Sequence, residues 1–292
     1  MPFSKSFGKQ LLTQFSSLST YTQKSQVTNT KLRIIITGAS RGIGCAIATK
    51  FASKYKSNAH ITLLGRSFDY PSNHETPGTL METTKKVESY GASAIPLAVD
   101  LQETDKLKES IQAAIKEMNG LDILINNASA LYTQPTIKQM DLMYKVNTRA
   151  TLLAIKECKN ELEKNKGTII TISPPIRLGK LDWISNHPEY TISKYAMSLA
   201  TLAYASDNIR ANCIWPRYTI ATSATKKLEN EGFKNAFSKG RPTDDFADAV
   251  HELAISDLNA QTIYDDDITT LPVTNAPLDV FAEKCTKHLK FN

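Results

Sequence analysis

Leu32-Arg33-Ile34-Ile35-Ile36-Thr37-Gly38-Ala39-Ser40-Arg41-Gly42-Ile43-Gly44 decides how this chain is read. The apolar run from Leu32 to Thr37 has the character of a strand. It ends in three glycines spaced G-x-x-x-G-x-G and passes into a helical pattern from Cys45 to Tyr55. Glycine has no Cβ, so such a turn reaches dihedrals closed to other residues and lets a ligand approach the main chain. The helix beyond offers unpaired N–H groups and the positive end of its dipole, which suits a pyrophosphate. With a strand before it and a helix after it, the glycine triplet points to a dinucleotide site.

Outward from this stretch, apolar runs at 32–37, 59–65, 94–99, 121–126, 167–173, 209–215 and 261–264 alternate with amphipathic stretches at 78–90, 104–118, 138–163, 189–205 and 243–256. Runs that are apolar without alternation are buried on both faces. They predict a mostly parallel sheet with helices on each side. Right-handed crossovers then give a doubly wound, three-layer α/β/α single domain of the Rossmann type over residues 31–292, with ligands at the carboxyl ends of the strands.

Residues 1–30 stand apart. They hold Lys5, Lys9 and Lys24, no acid, and eleven Ser or Thr. Phe3, Phe7, Leu11, Phe15 and Leu18 recur at helical spacing, so this segment reads as a mitochondrial targeting sequence. A disordered polar tail is the alternative.

The net charge of +6 comes largely from the N-terminal quarter, since the first acid is Asp69. The basic residues form no stripe with interleaved aromatics, so nucleic acid is not an expected partner. No segment approaches the about 18 apolar residues of a membrane span. The four cysteines (Cys45, Cys158, Cys213, Cys285) are far apart. They suit small buried hydrophobes in a reducing compartment better than a metal site or a disulfide framework.

Tyr190-Thr191-Ile192-Ser193-Lys194 places a phenol and an ammonium on one helical face. A free tyrosine titrates near about 10, and a fixed cation beside it favours the phenolate. The pair is a plausible acid–base group for interconverting a carbonyl and an alcohol. Thr37-Gly38-Ala39-Ser40-Arg41-Gly42-Ile43-Gly44, Asp100, Asn126-Asn127-Ala128, Asn147 and Tyr190-x-x-x-Lys194 occur in the order seen in short-chain dehydrogenases/reductases, and residues 31–265 resemble that family. The stretches 141–149, Ile172-Ser173-Pro174-Pro175 and Trp215-Pro216-Arg217 resemble its hydroxysteroid-dehydrogenase-like branch. That branch is associated with mitochondria and peroxisomes, so a peroxisomal or cytoplasmic location stays open beside the mitochondrial one. Its members usually continue into a sterol-carrier domain, for which this chain leaves no room, so lipid transfer is not expected.

The resemblance implies roles. Tyr190 would exchange a proton with the substrate oxygen. Lys194 would hold the nicotinamide ribose and lower the Tyr190 pKa. Asn147 would anchor a relay water, Asn127 and Ala128 would line the cofactor, and Asp100 would contact adenine. Gly38, Ser40, Arg41, Gly42, Ile43 and Gly44 would form the phosphate turn, with Thr222 near the nicotinamide or pyrophosphate. The second strand ends Leu63-Leu64-Gly65-Arg66-Ser67 with no acid for a ribose 2′-hydroxyl, and Arg41 adds a second cation. That combination favours NADP(H) over NAD(H).

The chain departs from the family at several positions. The usual catalytic serine falls at Pro174, which has no donor. Ser173 could replace it from one position earlier, although strand alternation reverses its direction. Ser129 stands where glycine is frequent, and Arg217 replaces a glycine after Pro216. Arg217 could meet an anion or face solvent, and His187 reads as a space-filling loop residue.

The expected function is hydride transfer between NADP(H) and a carbonyl or secondary alcohol of lipid type, in a homo-oligomer. The alternative is a non-catalytic cofactor-binding or scaffold protein of the same fold.

Overall fold

The computed structural model describes residues 31–71, 77–176 and 185–268. The targeting reading of residues 1–30 therefore lies outside the described residues. The strands are β1 (Leu32–Thr37), β2 (Ala59–Gly65), β3 (Ser93–Ala98), β4 (Ile123–Asn126), β5 (Thr168–Ile172), β6 (Arg210–Trp215) and β7 (Thr262–Tyr264). They form one seven-stranded sheet in the order β3-β2-β1-β4-β5-β6-β7. Every pairing is parallel, with Ile35 of β1 set against Thr62 of β2 and Leu124 of β4. The chain leaves β1 toward one edge and returns through β4 toward the other. This places the switch in strand order, where doubly wound sheets bind ligands, between β1 and β4.

The helices are α1 (Gly42–Tyr55), α2 (Leu80–Ser89), α3 (Thr104–Met118), α4 (Ile137–Met143), α5 (Ala150–Asn165), α6 (Pro188–Leu202), α7 (Ser223–Asn230) and α8 (Thr243–Ile255). Successive strand residues point to opposite faces, so the isoleucine run of β1 feeds two cores. Ile34 and Ile36 join Ile47 and Phe51 of α1 and Phe246 and Val250 of α8. Ile35 joins Leu107 and Ile111 of α3 and Ile155 and Leu162 of α5 on the other face. That two-sided burial is why the strands read as unbroken apolar runs.

Two segments differ from the pattern. The stretch 138–163 is one amphipathic run in sequence, yet α4 and α5 are separated by a π-helical segment, Tyr144–Arg149. It carries Asn147, whose tertiary bonds, described below, are not encoded in periodicity. The polar stretch after Trp215 contains α7, started by a capping box in which the Thr222 hydroxyl accepts from the Thr225 amide. A Thr-x-x-Thr box is a weaker signal than the usual Ser/Thr-x-x-Glu.

Phe51 is fully buried and packs edge-on against His251, with ring centres 5.2 Å apart. Phe51→Ala is expected to lower the unfolding free energy by about 3–5 kcal/mol in urea denaturation. A loss below about 1 kcal/mol would mean that the α1–α8 contact is not part of the core.

Candidate active site

The β1–α1 turn is shaped by close approach. Gly38 and Gly42 have φ of +67° and +52°, in the region that favours glycine. A Cβ on Gly44 would lie 2.4 Å from the Gly38 carbonyl oxygen and 2.5 Å from Asn127 Nδ2. The Asn127 amide donates to the Thr37 and Gly38 carbonyls at 2.9 and 3.1 Å. The backbone amides of Asn127 and Ala128 both donate to Thr37 Oγ1 at 3.1 Å. Asn127 therefore fixes the turn, and its side chain is spent on backbone.

Helix α1 begins after Arg41 with no side-chain cap and no acid in its first turn. Its first N–H groups and dipole are thus left for an anion, and the residues fit a pyrophosphate group. Ser40 and Ile43 sit in this turn, and Thr222 lies against it: a Cβ on Gly42 would be 3.5 Å from Thr222 Cγ2. Burial lowers the Arg41 pKa, and the charge of Arg66 lowers it further. The exposed Arg66, just after β2, reaches Asp100 at 3.9 Å. Asp100 in turn accepts from the Gln102 amide at 2.9 Å.

The loop after β4 links this turn to α6. Asn147, fully buried in the π-helical segment, accepts from the Ala130 amide at 2.7 Å and donates to the Ala130 carbonyl at 2.9 Å. Its second amide proton goes to Ser193 Oγ at 2.9 Å, and Ser193 Oγ donates to the Tyr190 carbonyl at 2.7 Å. The wide π turn seats Asn147 between loop and helix, consistent with the tendency of such turns to occur at functional sites.

Tyr190 retains part of its surface to solvent, whereas Lys194 is buried. Lys194 Nζ donates to the Ile172 carbonyl at 2.6 Å and lies 5.3 Å from the centre of the Trp215 ring. Burial pushes the Lys194 ammonium down to about 7, opposed by the Cys213 thiol. Burial pushes the Tyr190 phenol up to about 12, opposed by a hydrogen bond with the Ser129 side chain. The expectation that Lys194 holds the phenol below its ordinary value is thus corrected. The group that lowers it here is Ser129, and burial outweighs it.

Ser173, the expected substitute for the missing serine, is placed in the interior. It is fully buried, and its Oγ lies 2.9 Å from Ser198 Oγ, which donates to the Pro174 carbonyl at 2.8 Å. Ser173 also hydrogen-bonds the Cys213 side chain, so it is engaged beneath the site. Arg217 is taken up by the chain's own acids. Its Nε lies 3.2 Å from Asp266, it pairs with Asp267, and its guanidinium stacks over Tyr264 at 4.4 Å. His187 contacts the Thr133 carbonyl at 3.3 Å and the Phe233 ring at 5.6 Å, as a space-filling residue does.

The short chain dehydrogenase profile matches residues 32–232. The chain belongs to that family. It is 38% identical to human hydroxysteroid dehydrogenase-like protein 2 over 228 residues, 75% of this chain and 52% of the relative. For the mouse protein of that name the identity is 37%, over 75% of this chain and 45% of the relative. The chain spans about half the length of these curated relatives. Among solved structures, a Mycobacterium thermoresistibile short chain dehydrogenase superimposes with a TM-score of 0.73 at 29% identity, over 83% of this chain and 88% of that one. The seven-stranded parallel sheet agrees with that family.

Folding carries Lys194 from an ordinary value of 10.5 down to about 7. The unfolded chain binds more protons between those limits, so stability rises with pH there. The rise is clearest from pH 7 to 9, below the ordinary values of Cys213 and Tyr190. The urea midpoint of the wild-type protein is expected to climb across that window, and that of Lys194→Met to stay flatter. Equal slopes would show that Lys194 is not desolvated in the fold.

Proposed function

We propose that this dehydrogenase transfers hydride between NADP(H) and a carbonyl or secondary alcohol of lipid type. One observation carries the reading. Residues 127–130 are bonded at their start to the glycine turn through Thr37 and Gly38, and at their end to the Tyr190 helix through Asn147. A phosphate-binding turn and an acid–base tyrosine are thereby held on one short loop.

NADP(H) would supply hydride chemistry; the remaining work belongs to the protein. Gly38, Ser40, Arg41, Gly42, Ile43 and Gly44 would hold the pyrophosphate, with Thr222 beside them. Arg66 and Arg41 are close enough for one charge to depress the other's pKa, a repulsion that a 2′-phosphate would relieve. Asp100 would face the adenine side, with Asn127 and Ala128 backing the cofactor. In reduction, Tyr190 Oη would give its proton to the substrate oxygen, and in oxidation it would take that proton back. Lys194 would hold the ribose hydroxyls, and Asn147 fixes the loop.

The name of the curated relatives supports a steroid-like substrate. So does Phe233, 38% exposed and packed on His187 just before Tyr190. Exposed Leu152, Ile192 and Leu199 on α5 and α6 support a homo-oligomer, and the acid-free segment 1–30 supports a mitochondrial location. Pro174 favours the scaffold alternative.

Fluorescence titration with NADPH and NADH tests the assignment. NADPH is expected to bind more tightly, and Arg66→Ala to weaken NADPH by about ten- to a hundredfold while leaving NADH nearly unchanged. No binding of either would shift the reading to a scaffold. Tyr190→Phe is expected to bind NADPH normally and lose about a hundredfold or more in turnover. Gly44→Ala is expected to lose cofactor binding, because its new Cβ would meet the Gly38 carbonyl.

A further inference from the structure

Two departures from the family pattern lie on opposite sides of Tyr190. On the β5 side, the expected serine position is Pro174, with neither hydroxyl nor amide proton, and the adjacent Ser173 hydroxyl is buried among Ser198 and Cys213. On the β4 side, a hydroxyl occupies a position where glycine is frequent. Ser129 is exposed, and its side chain is hydrogen-bonded with that of Tyr190. Its other contact, to the Ala130 carbonyl at 3.5 Å, is long.

The backbone around Ser129 is held on both sides. Ala128 N is bonded to Thr37 Oγ1, and both polar backbone atoms of Ala130 are bonded to Asn147. Asn147 and Ser193 continue that network to the Tyr190 carbonyl. An exposed hydroxyl on an anchored backbone is positioned without being consumed by the fold, which is what electrostatic catalysis requires of a donor.

We infer that Ser129 is a catalytic residue, supplying the hydrogen-bond donor to the substrate oxygen beside Tyr190 in place of the strand-end serine. This rests on the oxidoreductase reading above. In reduction the carbonyl π bond breaks, the carbon takes hydride from NADPH, and the oxygen takes the Tyr190 proton, leaving NADP+ and an alcohol. Ser129 keeps its own proton throughout. It donates to the oxygen as negative charge develops there and, once the alcohol has formed, turns the same proton to the Tyr190 phenolate that remains.

The test uses the full chain with NADPH and phenanthrenequinone as the probe carbonyl. Ser129→Ala is expected to lower kcat/KM by about a hundredfold or more, Ser129→Thr to recover most of it, and Ser173→Ala to stay within about threefold of wild type. NADPH affinity should be unchanged in all three. Removing a group that lowers the Tyr190 pKa also moves the pH profile of Ser129→Ala to higher pH in either reaction direction. Wild-type turnover in Ser129→Ala with Tyr190→Phe inactive overturns the inference alone, as does an equal loss in Ser173→Ala. Full turnover in Tyr190→Phe overturns the oxidoreductase mechanism itself. If the quinone is not reduced, NMR of carbon-labelled tyrosine decides. The Tyr190 ring resonance, assigned by its loss in Tyr190→Phe, is expected to shift in Ser129→Ala, and an unmoved resonance overturns the inference.

Discussion

The hydroxyl of Thr37 is the constraint on which the site depends. It sits at the carboxyl end of β1 and accepts from two successive amides at the end of β4. This sews together the two strands between which the sheet changes direction. Asn127 then reaches back to the carbonyls of the glycine turn, and Gly44 must lack a side chain for the three pieces to close. The glycine turn is therefore set by the fold itself, and little ordering is left for binding to supply.

From this point rigidity spreads in one direction and charge in another. The loop after β4 passes the constraint to Asn147, Ser193 and Tyr190 by direct hydrogen bonds. The charges are arranged in tension: burial and the charge of Arg66 depress Arg41, Lys194 is stripped of water, and Tyr190 is held above its ordinary range. Each of these costs would be relieved by a phosphate, a ribose or a developing oxyanion. Stability is set aside at the positions where binding and turnover would recover it.

Much of this was legible in the chain itself. The seven apolar runs gave the strands because burial on both faces leaves no alternation, and the glycine spacing located the turn. What the sequence hid has physical reasons. Asn147 in the π turn bonds a distant loop, and no local period records that. Arg217 looked available for an anion until the fold brought Asp266 and Asp267 around it. Ser129 was visible only as an absent glycine, since its contact with Tyr190 spans sixty-one residues of chain. The phenol's value depends on burial, which residue spacing alone does not report.

The π-helical segment has a consequence for how this protein can vary. Residues 144–149 wind the chain with more residues per turn than the helices on either side. Deleting one residue there would let α4 and α5 fuse into a single α-helix with an unbroken backbone ladder. The fused helix could still pack on the sheet, but it would carry Asn147 out of phase with Ala130 and Ser193. The segment thus behaves as a phase insert: loss of one residue would keep the helical backbone ladder and disconnect the loop that holds Ser129.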